Sequence, residues 1–142
     1  MRWTMTGATA ILWLALGGVM SEAQVQPPRR LNPDQQVDQW YRQYLRRPVD
    51  ADGLRDWAVK LRNGRPWEEV LGGILGSKEY FVARGGTNPR YVRGLYRELV
   101  GRAPSNSEVR AALFRLNGLD AGSKEAEAAR GAVAQALLET PE

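Results

Sequence analysis

The stretch Tyr41-Arg42-Gln43-Tyr44-Leu45-Arg46-Arg47-Pro48-Val49-Asp50-Ala51-Asp52-Gly53-Leu54-Arg55-Asp56-Trp57 decides how this chain is read, because much of it occurs twice. Val37, Tyr41, Arg42, Arg47 and Leu61 recur 55 residues later as Val92, Tyr96, Arg97, Arg102 and Leu116. Tyr44-Leu45 becomes Leu99-Val100, Leu54 becomes Val109, and Asp50 falls on Ser105. Farther on the offset is 63, so that Val70, Ile74, Leu75, Ser77 and Glu79 meet Val133, Leu137, Leu138, Thr140 and Glu142. An insertion around Leu119 to Lys124 accounts for the change. Self-similarity at a fixed offset marks a repeated supersecondary unit. The expected organisation is one domain over 32–142 made of two similar units, about 32–86 and 87–142, the second ending early.

Working outward, each unit reads as helices. Asn32-Pro33 is a helix start, with Gln35 placed for a capping box, and Val37, Trp40, Tyr41, Tyr44 and Leu45 fall on one helical face. Asp50 caps a second helix carrying Leu54, Trp57, Ala58 and Leu61 inward, closed by Asn63-Gly64. Pro66 opens a third, with Trp67, Val70, Leu71, Ile74 and Leu75 inward. Ser77 starts a short fourth through Tyr80, Phe81 and Val82, ended by Gly85-Gly86. Thr87-Asn88-Pro89 repeats the start signal ahead of Val92, Leu95, Tyr96, Leu99 and Val100. Ser105 to Glu108 forms a capping box for the next helix, and the Ala-rich run from Ser123 to Thr140 favours the last. No segment alternates apolar and polar residues with β-branched enrichment. The expected fold class is therefore all-α, a bundle of about six to seven short helices with no sheet. Gly72-Gly73 with Gly76 inside a helical stripe predicts close approach of another helix.

The composition narrows function. Among 142 residues there is no cysteine and no histidine, which removes disulfides, thiolate and imidazole metal sites, and the Ser-His-Asp and Cys-His arrangements. No cofactor and no metal site is expected. A net charge of +4 is a mild basic excess, and no nucleic-acid reading motif accompanies it. Arg2, the uncharged stretch Ala8 to Val19 and Ser21-Glu22-Ala23 read as a secretory signal over 1–23, cleaved near Ala23; the stretch is short for a membrane helix. A Pro/Arg-rich leader would follow over 24–31. The mature protein is expected to be periplasmic or secreted, with no stable membrane span.

The quoted stretch, followed by Leu61, Asn63-Gly64 and Ser77-Lys78-Glu79-Tyr80-Phe81, resembles the bacterial domain-of-unknown-function family DUF4214. Its units read as a Tyr-Arg pair, Leu-Gly-Arg, Pro-Asp, Gly-Leu and a Trp, then a small residue, any residue, Glu and an aromatic. The resemblance spans about residues 37–117, and its second copy departs from the pattern at Glu108, in place of Gly, and at Ala112, in place of Trp. It implies an all-helical module of exported and cell-envelope proteins, related to the phycobilisome linker fold and found beside calcium-binding repeats or carbohydrate-active domains. It carries over no catalytic residue.

Most of the repeated residues have an architectural reading: Tyr41, Tyr96, Gly53, Leu54, Trp57 and Leu61 in packing, Asp50 and Ser77 as caps, and Glu79 in the repeated Ser-x-Glu motif. Arg47 and Arg102 follow helix ends, where a guanidinium can bond free carbonyls or serve as an anion-binding pair. Asp50-Ala51-Asp52-Gly53 resembles the start of a calcium loop, but Leu61 stands where the bidentate Glu belongs. The candidate binding residues are Arg42, Arg47, Arg90, Arg93, Arg97 and Arg102, of which Arg90, Arg93 and Arg97 share one helix face. Glu68, Glu69, Glu79 and Glu98 supply carboxylates without an identifiable acid/base pair. The expected function is a non-catalytic helical module for protein interaction or assembly at the bacterial envelope. The alternative is a binding module for anionic or calcium-bridged surface polysaccharide. The partner is unknown, an envelope protein or an acidic glycan being the candidates.

Overall fold

The computed structural model describes residues 30–140, so the expected secretory signal, most of the expected leader and Glu142 lie outside the described residues. The described residues form seven helices and no strand. Helix α1 (33–45) is α-helical over Pro33–Trp40 and widens into a π-helical turn over Tyr41–Leu45. Helix α2 (51–62) contains a similar turn at Leu54–Ala58. Helices α3 (Trp67–Gly76) and α4 (Lys78–Ala83) follow, then α5 (88–100), whose last turn, Tyr96–Val100, is again π-helical. Helices α6 (Asn106–Leu116) and α7 (Lys124–Glu139) complete the fold.

The starts are set by side chains that satisfy the free N–H groups of a first turn. Asn32 and Ser105 form complete capping boxes with Gln35 and Glu108. Asp50, Ser77 and Ser123 accept from Gly53, Tyr80 and Ala126. Thr87 makes no side-chain cap; Asn88 instead reaches the Leu116 carbonyl at the end of α6. The insertion expected near Leu119 is a turn-rich connection, 117–123, with Gly118 in the left-handed region.

Positions 55 apart share local geometry as well as identity. The π turns at Tyr41–Leu45 and Tyr96–Val100 both close on a left-handed residue, Arg46 (φ 59°) and Gly101 (φ 78°). A single contiguous core joins all seven helices, from Val37 and Tyr44 through Ile74, Leu75 and Tyr80 to Leu95, Leu116 and Ala134.

Helices α3 and α7 make the closest crossing, and glycine permits it. A Cβ on Gly76 would sit 2.5 Å from the Gly131 nitrogen and 2.6 Å from the Glu127 carbonyl oxygen. Gly73 serves differently, since the Trp57 ring lies directly on it. One inward assignment needs correction. Trp67 is 47% exposed, because α3 turns Val70, Leu71, Ile74 and Leu75 toward the core and its first residue lies beyond that stripe. Val82 points outward at 59% exposure, one residue past the buried pair Tyr80-Phe81.

A buried arginine pins the middle of the bundle. Arg130, 1% exposed, donates from Nε to the Gly76 carbonyl (3.0 Å) and from Nη1 to that of Ala121 (3.1 Å). Its guanidinium lies 4.4 Å from the Phe81 ring centroid, and its own carbonyl accepts from the Tyr91 hydroxyl at 2.9 Å. Arg130 thus terminates α3 by bonding a carbonyl that the helix leaves unpaired.

Candidate anion-binding site

Six arginines are candidates for binding, and the structure divides them. Arg42 is paired with Asp38 one turn back on α1 (2.7 Å). Arg47 forks onto Glu79, with Nε to Oε1 at 2.7 Å and Nη2 to Oε2 at 2.8 Å, while Nη1 reaches the Pro48 carbonyl and Asp50. Arg102, 55 residues farther along the chain, makes a similar arrangement. Its guanidinium forks onto Glu108 (2.8 and 3.0 Å) and reaches the Ala103 carbonyl, the residue 55 beyond Pro48. Arg47 and Arg102 also lie over the rings of Tyr41 and Tyr96, at 4.9 and 5.5 Å. Both guanidiniums therefore lock a helix end, a tyrosine and a carboxylate together.

These locks register in the carboxylates. The Arg102 fork, with the Ser105 N–H second, holds Glu108 down at about 2. Arg47 likewise holds Glu79 below the usual range, and the Gly53 N–H does so for Asp50. Asp50 is engaged with Arg47 and Asp52 with Arg55, so the pair reads as a cap and its first turn. Among the described residues no three acidic side chains converge as a metal site would require. Of the carboxylates considered for catalysis, Glu69 pairs with Arg65, Glu79 with Arg47 and Glu98 with Arg84.

Arg90, Arg93 and Arg97 behave differently. They project from successive turns of α5 into a cleft of about 330 Å³, whose other walls are Ala83, Arg84, Gly85 and Gly94. All three are exposed, and among the described residues none of them forms an ion pair. Arg84, the residue that caps α4, is the fixed member. It pairs with Glu98 at 2.5 Å, donates to the Tyr44 carbonyl at 3.2 Å and stacks 4.5 Å from the Tyr80 ring. Tyr80 is buried and donates to Glu98 (3.1 Å); burial pushes its phenol well above the ordinary range.

Two glycines shape the cleft. A Cβ at Gly85 would come within 2.7 Å of Arg90 Cδ, and one at Gly94 within 3.0 Å of Arg84 Cδ. Gly85 also holds φ at 98°, a conformation that favours glycine, and so lets the chain turn sharply from α4 toward α5. With three unpaired guanidiniums and no lining carboxylate, the cleft can accept a carboxylate, sulfate or phosphate through paired N–H donors. The shared face of Arg90, Arg93 and Arg97 is visible in the sequence. Arg84 and the two glycines are not, since their part depends on how α4 meets α5; the nearest signal was the Gly-Gly turn directly after Arg84.

Residues 29–84 match the family model described as Domain of unknown function (DUF4214), under half of the 142-residue chain. The match runs from just before α1 to Arg84, so it contains the Arg47–Glu79 lock and stops where the cleft begins. No curated protein and no solved structure matches the chain.

Proposed function

We propose that this protein is an exported, non-catalytic helical module, built from two units of one kind, that works by binding at the bacterial envelope. The cleft of Arg84, Arg90, Arg93 and Arg97 is its contact for an acidic partner. The observation that carries this reading is the contrast among the arginines. Arg42, Arg47 and Arg102 are neutralised by carboxylates of the fold, while Arg90, Arg93 and Arg97 stand unpaired around one cavity. Three like charges on neighbouring turns repel one another by a few tenths of a kcal/mol per pair, a cost that an acidic ligand removes.

The ligand chemistry is a series of spaced carboxylates or sulfates, as on an acidic glycan or an acidic protein segment. Contacts between exposed charges are screened, so binding must fall as salt rises. Calorimetric titration with polygalacturonate and with poly-glutamate, each at low and at high salt, tests this. The triple variant Arg90→Gln, Arg93→Gln, Arg97→Gln is expected to bind at least about tenfold more weakly, the equivalent of roughly 1.4 kcal/mol. Substituting Arg42, outside the cleft, should change little. Equal binding by wild type and triple variant would contradict the assignment. The polymer that binds more tightly distinguishes a glycan partner from a protein one.

A further inference from the structure

The two halves differ in what covers them. In the first, α3 is followed across Ser77 by α4, which packs against the π turn Tyr41–Leu45. Tyr80 and Phe81 of α4 are buried, Glu79 meets Arg47, and Arg84 at its end donates to the Tyr44 carbonyl. From the second half, the Arg130 guanidinium closes over the Phe81 ring at 4.4 Å. In that second half α7 leads to Thr140, the counterpart of Ser77, and Glu142 matches Glu79, but the sequence holds no counterpart of Tyr80-Phe81.

The place that α4 takes in the first half is, in the second, a cavity of about 390 Å³. Its apolar walls match those of the first half in sequence. Tyr96, Leu99 and Val100 correspond to Tyr41, Tyr44 and Leu45 at the offset of 55; Leu137 and Leu138 correspond to Ile74 and Leu75 at the offset of 63, and Trp67 to Arg130. Exposure follows the missing cover. Ile74 and Leu75 are buried but Leu137 and Leu138 only in part, and Arg130 is 1% exposed but Trp67 47%. The carboxylate is the one feature of α4 that the second half supplies for itself, because Glu108, also on the cavity wall, gives Arg102 the fork that Glu79 gives Arg47. What the cavity lacks is therefore apolar, an aromatic pair on a helical turn that would take Trp67, Leu137 and Leu138 out of water.

We propose that this cavity is the docking site for a partner protein, which inserts a short helix bearing two adjacent aromatic side chains and completes the second unit as α4 completes the first. The site shares no lining residue with the arginine cleft, and neither reading depends on the other. The probe is a synthetic peptide of residues 77–86, the sequence of α4, titrated into the full chain and followed by protein NMR. The Trp67 indole N–H and the Leu137 and Leu138 methyl signals are expected to shift saturably. The same peptide with Tyr80→Ala and Phe81→Ala should bind at least about tenfold more weakly. Trp67→Ser, at an exposed helix start, should weaken binding by a similar factor and leave the fold intact. Extending the chain after Glu142 by the sequence of residues 80–86 should shift the same signals without peptide and abolish peptide binding, since a tethered copy competes at high effective concentration. No shift at millimolar peptide overturns the proposal, as does binding indifferent to the two peptide alanines or to Trp67→Ser. Shifts centred on Tyr44 and Leu45 would mean that the peptide displaces α4 in the first half, and they overturn it too. Free phenol or indole binding as tightly as the peptide would make the cavity a small-molecule site and equally overturn it.

Discussion

Arg46 holds a backbone conformation (φ 59°) that side chains with a Cβ adopt at a cost, at the position where the other half of the molecule has Gly101. The left-handed region costs an ordinary residue about 1–2 kcal/mol, offset in part by the greater freedom of glycine in the unfolded chain. Arg46→Gly is therefore expected to stabilise the protein by about 0.5–1 kcal/mol. The check is a higher denaturant midpoint with an unchanged slope; a lower midpoint would show that the Arg46 side chain stabilises more than its backbone costs. Glu108 gives a pH prediction. Its carboxyl is held at about 2 in the folded state by Arg102, against about 4.3 for a glutamate in an unfolded chain. A depressed acid contributes stability above its unfolded value, and that contribution is lost as pH falls toward the folded one. The melting temperature should drop between pH 5 and pH 2. Glu108→Gln should lower the neutral-pH melting temperature and flatten part of the acid limb. An unchanged limb would mean that the fork is absent in solution.

At the scale of elements, the glycine seam of α3 is the sharpest constraint. Alanine is the better helix former by about 1 kcal/mol. At Gly76, however, its methyl would strike backbone of α7 on both sides, and backbone cannot rotate out of the way. Gly76→Ala should destabilise by about 2–3 kcal/mol in a thermal or denaturant melt; neutrality or a gain would mean that the α3–α7 crossing is looser than it stands. This seam, the capping boxes at Asn32 and Ser105, and the apolar stripes of α1 and α5 were all legible in the sequence, because each depends on spacing along one helix. The π turns at Tyr41–Leu45 and Tyr96–Val100 were not, since a stripe at i, i+3, i+4 looks the same whether its last turn is tight or wide. Trp67 was misassigned for a related reason: a residue at the first turn of a helix satisfies the periodicity while lying beyond the neighbouring helix that would cover it.

For the whole molecule, the all-helical architecture followed from the caps and stripes, and the offset of 55 pointed to the paired Arg47 and Arg102 locks. What the sequence could not supply was the partnership between distant segments. Arg130 sits in an Ala-rich helix with nothing to mark it as buried, and only the fold brings the Gly76 and Ala121 carbonyls to it. Six candidate arginines could likewise not be sorted until the carboxylates that neutralise some of them were in place. Replacing Arg130 by Met keeps the aliphatic stem and removes both bonds, and should cost about 2–3 kcal/mol for two carbonyls left unsatisfied. Retained stability would show that water reaches them. The division of the arginines is the central claim, and the arginine side-chain N–H resonances read it most directly. On titration with polygalacturonate, the Nε signals of Arg90, Arg93 and Arg97 should shift together, with a salt-sensitive midpoint, while those of Arg42, Arg47 and Arg102 stay in place. Shifts confined to Arg42, Arg47 or Arg102, or no shift at any of the six, would contradict the account.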